Sequence, residues 1–230
     1  MACETNDAYA DILENESKRE GIHMTFSIVA RCPRTLALGV CVSTAVPAVG
    51  SVVPHAEAGV GAIATQGQTS VLYGTNGLKL LEMGFSPQTA LEAMLKEDSE
   101  REKRQVAIID KSGRTAAFTG KETLEWKGHL VGEDYVVAGN ALAGAQVVEA
   151  MAQTFENSKG SLAERLLKAL EAGQEAGGDR RGRASAALLV VNRKPLPTRP
   201  FIDLRVDEHP DPVAELRRVW EDFKRLFLSI

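Results

Sequence analysis

Met24-Thr25-Phe26-Ser27-Ile28-Val29-Ala30 opens the first long apolar run of the chain, and the reading of Thr25 governs the reading of everything after it. Aromatic and β-branched residues dominate the run, which suits a pleated, packed strand. A threonine at the head of such a strand has two readings. Inside a longer chain it is β-branched filler. As the first residue of a mature chain it carries a free α-amine, which titrates near ~7.7–8.0. That amine lies within reach of the hydroxyl on the same residue, so one residue can supply both nucleophile and base.

The residues upstream differ in character. Asn6 to Gly21 is polar and acid-rich, without the basic start, apolar centre and small-residue cleavage site of a signal peptide. It reads either as a short helix or arm, or as a stretch not normally translated. Lys18-Arg19-Glu20-Gly21 can be back-translated into a purine-rich ribosome-binding sequence lying two codons before Met24. Removal of an initiator Met24 would expose Thr25. The expected division is therefore an extension over residues 1–23 and one domain over residues 24–230.

Downstream, Thr25–Ala30 and Leu36–Ser43 read as a hairpin around Pro33-Arg34-Thr35. Ser51–Val53 and Val60–Thr65 read as further short strands, with Pro54 to Gly59 as their connection. Small and β-branched residues suit strands buried on both faces. Arg31, Arg34 and Glu57 are the only formal charges between Thr25 and Lys79. A carboxylate in so apolar a segment is costly unless paired or used, which marks Glu57 as a candidate.

Helices are expected over Thr75–Met83 and Pro87–Lys96, with Ser86 as N-cap and Pro87 at the first helical position. Strands return at Arg104–Asp110 and Thr115–Thr119 around the turn Lys111-Ser112-Gly113-Arg114. Tyr135–Ala138 leads into Gly139-Asn140, and helices follow at Ala145–Phe155 and Leu162–Gln174. Ser161-Leu162-Ala163-Glu164 fits a capping box. Ala184–Asn192 and Phe201–Val206 are strands. A last helix starts at Asp211-Pro212 with an apolar stripe at Val213, Leu216, Trp220, Phe223 and Phe227.

Blocks of strands thus alternate with pairs of helices, which argues against a doubly wound fold. An α+β plan suits the order, a four-layer αββα sandwich of two antiparallel sheets between helix pairs. The chain has 230 residues, enough to bury a sizeable core. With 44% hydrophobic and 25% charged residues its composition is that of a globular protein. A net charge of −4 gives no overall attraction to nucleic acid or acidic membranes. No apolar run approaches the ~18–20 residues that span a bilayer. Cys3, Cys32 and Cys41 lack metal or disulfide spacing and fit a reducing cytoplasm.

Rival motifs are weaker. Gly59-Val60-Gly61-Ala62-Ile63-Ala64 matches a dinucleotide pattern, but that pattern needs a helix after it, whereas here the glycines precede the β-run. His55-Ala56-Glu57 has no Pro-Cys-x-x-Cys partner for a zinc deaminase. His23, His129 and His209 are scattered, so neither a metal nor a cofactor is expected. Arg180, Arg181 and Arg183 beside Asp179 form either a fork for a substrate carboxylate or phosphate, or a salt-bridged turn or subunit contact.

Several stretches together carry a family resemblance. They are Met-Thr-Phe-Ser-Ile-Val-Ala at 24–30, Ala-Glu-Ala-Gly-Val-Gly-Ala-Ile-Ala-Thr-Gln at 56–66, Ala-Gly-Asn at 138–140, Ala-Gly-Gly-Asp-Arg-Arg-Gly-Arg at 176–183 and Asp-Leu-Arg-Val-Asp at 203–207. With them the chain resembles an uncharacterised family of the N-terminal-nucleophile (Ntn) hydrolase superfamily, over nearly all of its length after Met24. The resemblance implies the αββα sandwich and hydrolysis of a small-molecule amide or related C–N bond by Thr25. The supporting aspartate and lysine of proteasome-type members have no counterpart here. Support would come from Glu57 and Asn140 in catalysis, with the oxyanion held by backbone N–H or by Asn140, and from Gln66, Asp179 and Arg181 in binding a substrate, for which Arg181 suits an anionic group. A cytoplasmic homo-oligomer is expected, and the alternative is a non-catalytic ligand-binding or scaffold protein of the same fold.

Overall fold

The structure is a computed structural model that describes residues 25–192 and 201–228. The expected extension over residues 1–23, and Met24 with it, lies outside the described residues. The fold is α+β, with two antiparallel sheets and, among the described residues, five α-helices.

The first sheet has six strands in the order β10-β9-β2-β1-β8-β7. They are β1 (Thr25–Arg31), β2 (Leu38–Thr44), β7 (Gly128–Gly132), β8 (Tyr135–Asn140), β9 (Ser185–Val191) and β10 (Ile202–Val206). The second has four in the order β3-β4-β5-β6, from β3 (Pro54–Glu57), β4 (Gly61–Gly67), β5 (Arg104–Asp110) and β6 (Thr115–Thr119). The helices are α1 (Val71–Glu82), α2 (Pro87–Glu97), α3 (Gln146–Asn157), α4 (Leu162–Glu175) and α5 (Pro212–Phe227).

Strand periodicity sorts the side chains. Phe26 and Ile28 of β1 pack with Met151, Leu166, Leu170 and Trp220 of α3, α4 and α5. Val29 of β1 packs instead with Val40, Ala64, Ala107 and Val136, a cluster drawn from both sheets. Ile63 and Ile108 of the second sheet join Tyr73, Leu81 and Leu91 of α1 and α2. Gly77 lets α1 lie close on the second sheet, since a Cβ there would fall 2.6 Å from Ile63 Cδ1.

Side-chain caps hold at two helix starts. Ser86 Oγ accepts from Thr89 N at 3.1 Å, and Ser161 Oγ from Glu164 N at 3.3 Å. The Asp110 carboxylate accepts from Ser112 N and Arg114 N, closing the β5–β6 turn. Gly61 opens β4 with no helix directly after it, as its place before the β-run requires.

Four expectations differ. Val49–Ser51 is a 3-10 turn where a strand over Ser51–Val53 was expected, and the strand is Pro54–Glu57. Pro54 is tolerated because it starts an edge strand, where a missing donor is no loss. The first helix begins at Val71, four residues before Thr75, because Leu72 and Tyr73 use its first turn. Strand β7 went unread, since its Gly-His-Leu-Val-Gly is an exposed edge without alternation. The stripe of α5 is buried through Trp220 and partly at Phe223, but Phe227 is exposed.

Candidate functional site

Thr25 heads β1 in the middle of the six-stranded sheet, opposite Thr44 of β2 on one side and Asn140 of β8 on the other. Its alternation with Phe26 places it on the same face as Ser27 and Val29, the face packed toward the second sheet. Where Val29 meets apolar partners, Ser27 and Thr25 meet polar ones. Thr25 is 3% exposed, and its Oγ1 lies 3.4 Å from Thr44 Oγ1, a weak contact.

A buried amide network lies beside it. Ser27 Oγ donates to Gln66 Oε1 at 2.7 Å, and Gln66 Nε2 donates to Thr25 O at 3.3 Å and Gln105 Oε1 at 2.8 Å. Asn140 Nδ2 donates to the same Gln105 Oε1 at 2.9 Å. Gln105 Nε2 faces the Gly139 and Gly128 carbonyls at 2.9 and 3.1 Å and Thr119 Oγ1 at 2.9 Å. Carbonyls only accept, so these contacts fix the Gln105 amide, which in turn turns both Gln66 and Asn140 nitrogen-first toward it.

One consequence is specific. Asn140 is fully buried, and its Oδ1 has no hydrogen-bond partner. Leaving such an acceptor unpaired costs about 1–3 kcal/mol. The orphan atom suits a donor, an ammonium or an amide N–H. An oxyanion would meet a like partial charge there. Of the two expected oxyanion holders, backbone N–H or Asn140, the Asn140 side chain could serve only through its second Nδ2 hydrogen, since the first is committed to Gln105 and the unpaired atom is an acceptor. Ala141 follows in the left-handed region at φ 52°, held by Ala141 N to Leu124 O at 2.7 Å. A non-glycine residue there is strained by about 1–3 kcal/mol. The strain turns the chain sharply out of β8 and fixes where Asn140 ends.

The Asp179 loop supports the Thr44 side. Asp179 Oδ2 accepts from Ala45 N at 3.0 Å, one residue beyond Thr44, and its Oδ1 accepts from Arg181 N at 2.9 Å. Arg181 Nη2 reaches Oδ2 at 3.1 Å. Burial pushes the Asp179 carboxyl above its ordinary value, and the Arg181 contacts only partly oppose this. Ser185 continues the brace, donating to Val46 O at 2.6 Å and accepting from Val49 N at 3.0 Å.

Of the residues picked from sequence, Thr25, Gln66 and Asn140 come together, and Asp179 joins them through Ala45. Arg181 is tied to Asp179, so its guanidinium first serves the turn. Glu57 is not brought to Thr25. It is exposed and pairs with Gly61, while Gln66 lies five residues further along β4, about 17 Å away. Ala56 packs between the sheets, so Glu57 points to the other face. Water at the hairpin tip meets the solvation cost that made Glu57 look like a site residue. Sequence reading passed over Ser27, Thr44 and Gln105. The available signal was polar residues at the packed parity of strands otherwise filled by Val, Ala and Ile.

Among the described residues no group of three or more His, Cys, Asp or Glu side chains could hold a metal. Cavities of about 540 Å³ between α1 and α2 and about 290 Å³ beside α4 and α5 are not lined by Thr25.

The model of a family of unknown function, DUF1028, matches residues 25–216, and the chain belongs to that family. A crystal structure of a Silicibacter pomeroyi protein of the same family is 35% identical, covers 87% of this chain and 89% of its own, and superposes with a TM-score of 0.80. Anbu, an ancestral beta-subunit from Yersinia bercovieri, is 9% identical over 89% of this chain and 97% of its own, with a TM-score of 0.39. No curated protein matches the chain.

Proposed function

We propose that this member of a family of unknown function is an amidohydrolase of the Ntn type, with the two sheets as the inner layers of an αββα sandwich and Thr25 as the N-terminal nucleophile. The observation that supports this best is the company Thr25 keeps. It heads the central strand beside Thr44, Gln66 and Asn140, and the buried Asn140 Oδ1 is an acceptor awaiting a donor. A free α-amine on Thr25 is such a donor, and Asn140 is its neighbour across the ladder. In the reaction Thr25 Oγ1 attacks the amide carbon while the α-amine takes the hydroxyl proton. The C–N bond then breaks as that proton passes to the leaving nitrogen, and water cleaves the resulting ester. Backbone N–H groups are the oxyanion donors in this reading. Asp179 with Arg181 holds the Thr44–Ala45 corner, and Arg181 can still greet an anionic part of a small substrate.

A second reading, a non-catalytic binding or scaffold protein, is favoured by the near-complete burial of Thr25 and by the absence of any charged side chain in hydrogen-bond contact with it among the described residues. The two separate on Thr25→Ala and Thr25→Ser, assayed against a panel of N-acyl amino acid amides. The hydrolase reading expects no turnover from the alanine variant and partial turnover from serine. Equal turnover by the alanine variant removes Thr25 from the chemistry.

A further inference from the structure

The cavity of about 540 Å³ lies in a groove between α1 and α2, on the side of the second sheet away from the first. Its size is that of an ordinary small-ligand site. Leu72, Leu80, Ala93 and Met94 give it an apolar floor, and Leu72 is 61% exposed, a large apolar side chain on the solvent face of a helix.

The charges along the groove are ordered. Tyr73 Oη donates to Asp98 Oδ2 at 3.0 Å, which fixes the start of α1 against the end of α2. Asp98 is also bound by Arg104 Nε at 2.9 Å, and Arg104 by Glu100, so those charges are consumed. Two lining charges remain without an ion-pair partner among the described residues, Glu97 and Lys79. Glu97 precedes Asp98 and so sits at the Tyr73 end. Lys79 is six residues further along α1, about 9 Å at 1.5 Å per residue. The groove therefore offers a carboxylate at one end, an apolar middle and an ammonium at the other.

We propose that this groove binds a short apolar peptide as a zwitterion, its α-ammonium toward Glu97 and its α-carboxylate toward Lys79. Three extended residues span about 10 Å, close to the rise along α1 from the Tyr73 end of the groove to Lys79. Side chains of such a peptide would cover Leu72, Leu80 and Met94. A simple anion would meet Glu97 and a simple cation Lys79, so neither fits as well as a molecule carrying both charges. The proposal is independent of Thr25.

The test is isothermal titration of the whole protein with trileucine. We expect saturable binding of one peptide per chain, weakened about two- to fivefold by N-acetylation and by C-amidation separately, the range of an exposed ion pair. Glu97→Gln should make acetylation silent, and Lys79→Met should make amidation silent. Leu72→Asp should abolish binding while its unfolding midpoint stays unchanged, because Leu72 packs little. Thr25→Ala should bind as the wild type does. No saturable heat at millimolar peptide, equal binding of the doubly capped peptide, or full binding by Leu72→Asp would each overturn the proposal.

Discussion

Gln105→Met is the sharpest perturbation of the candidate site. Methionine keeps nearly the same length and volume, so no large cavity forms. What is lost is the hub. Gln105 is fully buried and receives Gln66 Nε2 and Asn140 Nδ2 on its oxygen, while its nitrogen serves the Gly139 carbonyl at 2.9 Å. Gln66 retains Ser27 and the Thr25 carbonyl, and the part-buried Gly128 carbonyl can turn to water. Asn140 retains nothing, since its other end is already unpaired, and the Gly139 carbonyl loses a donor. Two buried groups left short cost about 1–3 kcal/mol each, or ~2–6 kcal/mol together. That is a large share of the ~5–15 kcal/mol that a domain usually has. Urea unfolding followed by tryptophan fluorescence measures it directly, with an unchanged m-value as the sign of two-state loss. Gln105→Met with Asn140→Leu should be less destabilised than the sum of the single changes, by ~1 kcal/mol or more, because both partners go together. A single-variant loss below ~0.5 kcal/mol would refute the hub.

Glu57→Gln should leave stability within ~0.5 kcal/mol and leave any hydrolysis unchanged, as expected for an exposed hairpin tip far from Thr25; thermal unfolding and turnover check both. Arg181→Met should destabilise more at pH 7 than at pH 4. The folded-state pKa of Asp179 already lies above its unfolded ~3.9, so the stability it lends is present below that value and lost as pH rises through the folded pKa. Removing the guanidinium lifts that pKa further and widens the window, which unfolding curves at the two pH values would show; a pH-independent loss would mean that packing, not charge, carries Arg181.

The elements were legible where period and caps agree. Pro87 after Ser86, the Ser161 box and the alternation of β1 needed no tertiary help. The hairpin β3 was not legible, because Pro54 and His55 argue against a strand and only its place at a sheet edge makes it one. Thr25 could be picked because a threonine heads the first apolar strand, and Asn140 and Gln66 only because the family resemblance called for support to it. Glu57 failed, since sequence shows a lone charge but not whether water reaches it. Gln105 was invisible as a site residue because its role rests on four carbonyl or amide groups from β4, β7 and β8, which only the pairing of the sheets assembles.

The central claim is that Thr25 acts with its own α-amine. Its most direct test is the intact mass of protein purified from its native gene, before and after brief periodate treatment. Periodate cleaves a 1,2-amino alcohol, which an N-terminal threonine has and an internal one lacks. The account predicts a chain that starts at Thr25 and loses acetaldehyde and ammonia under periodate. A mass that retains residues before Thr25, unchanged by periodate, would contradict it.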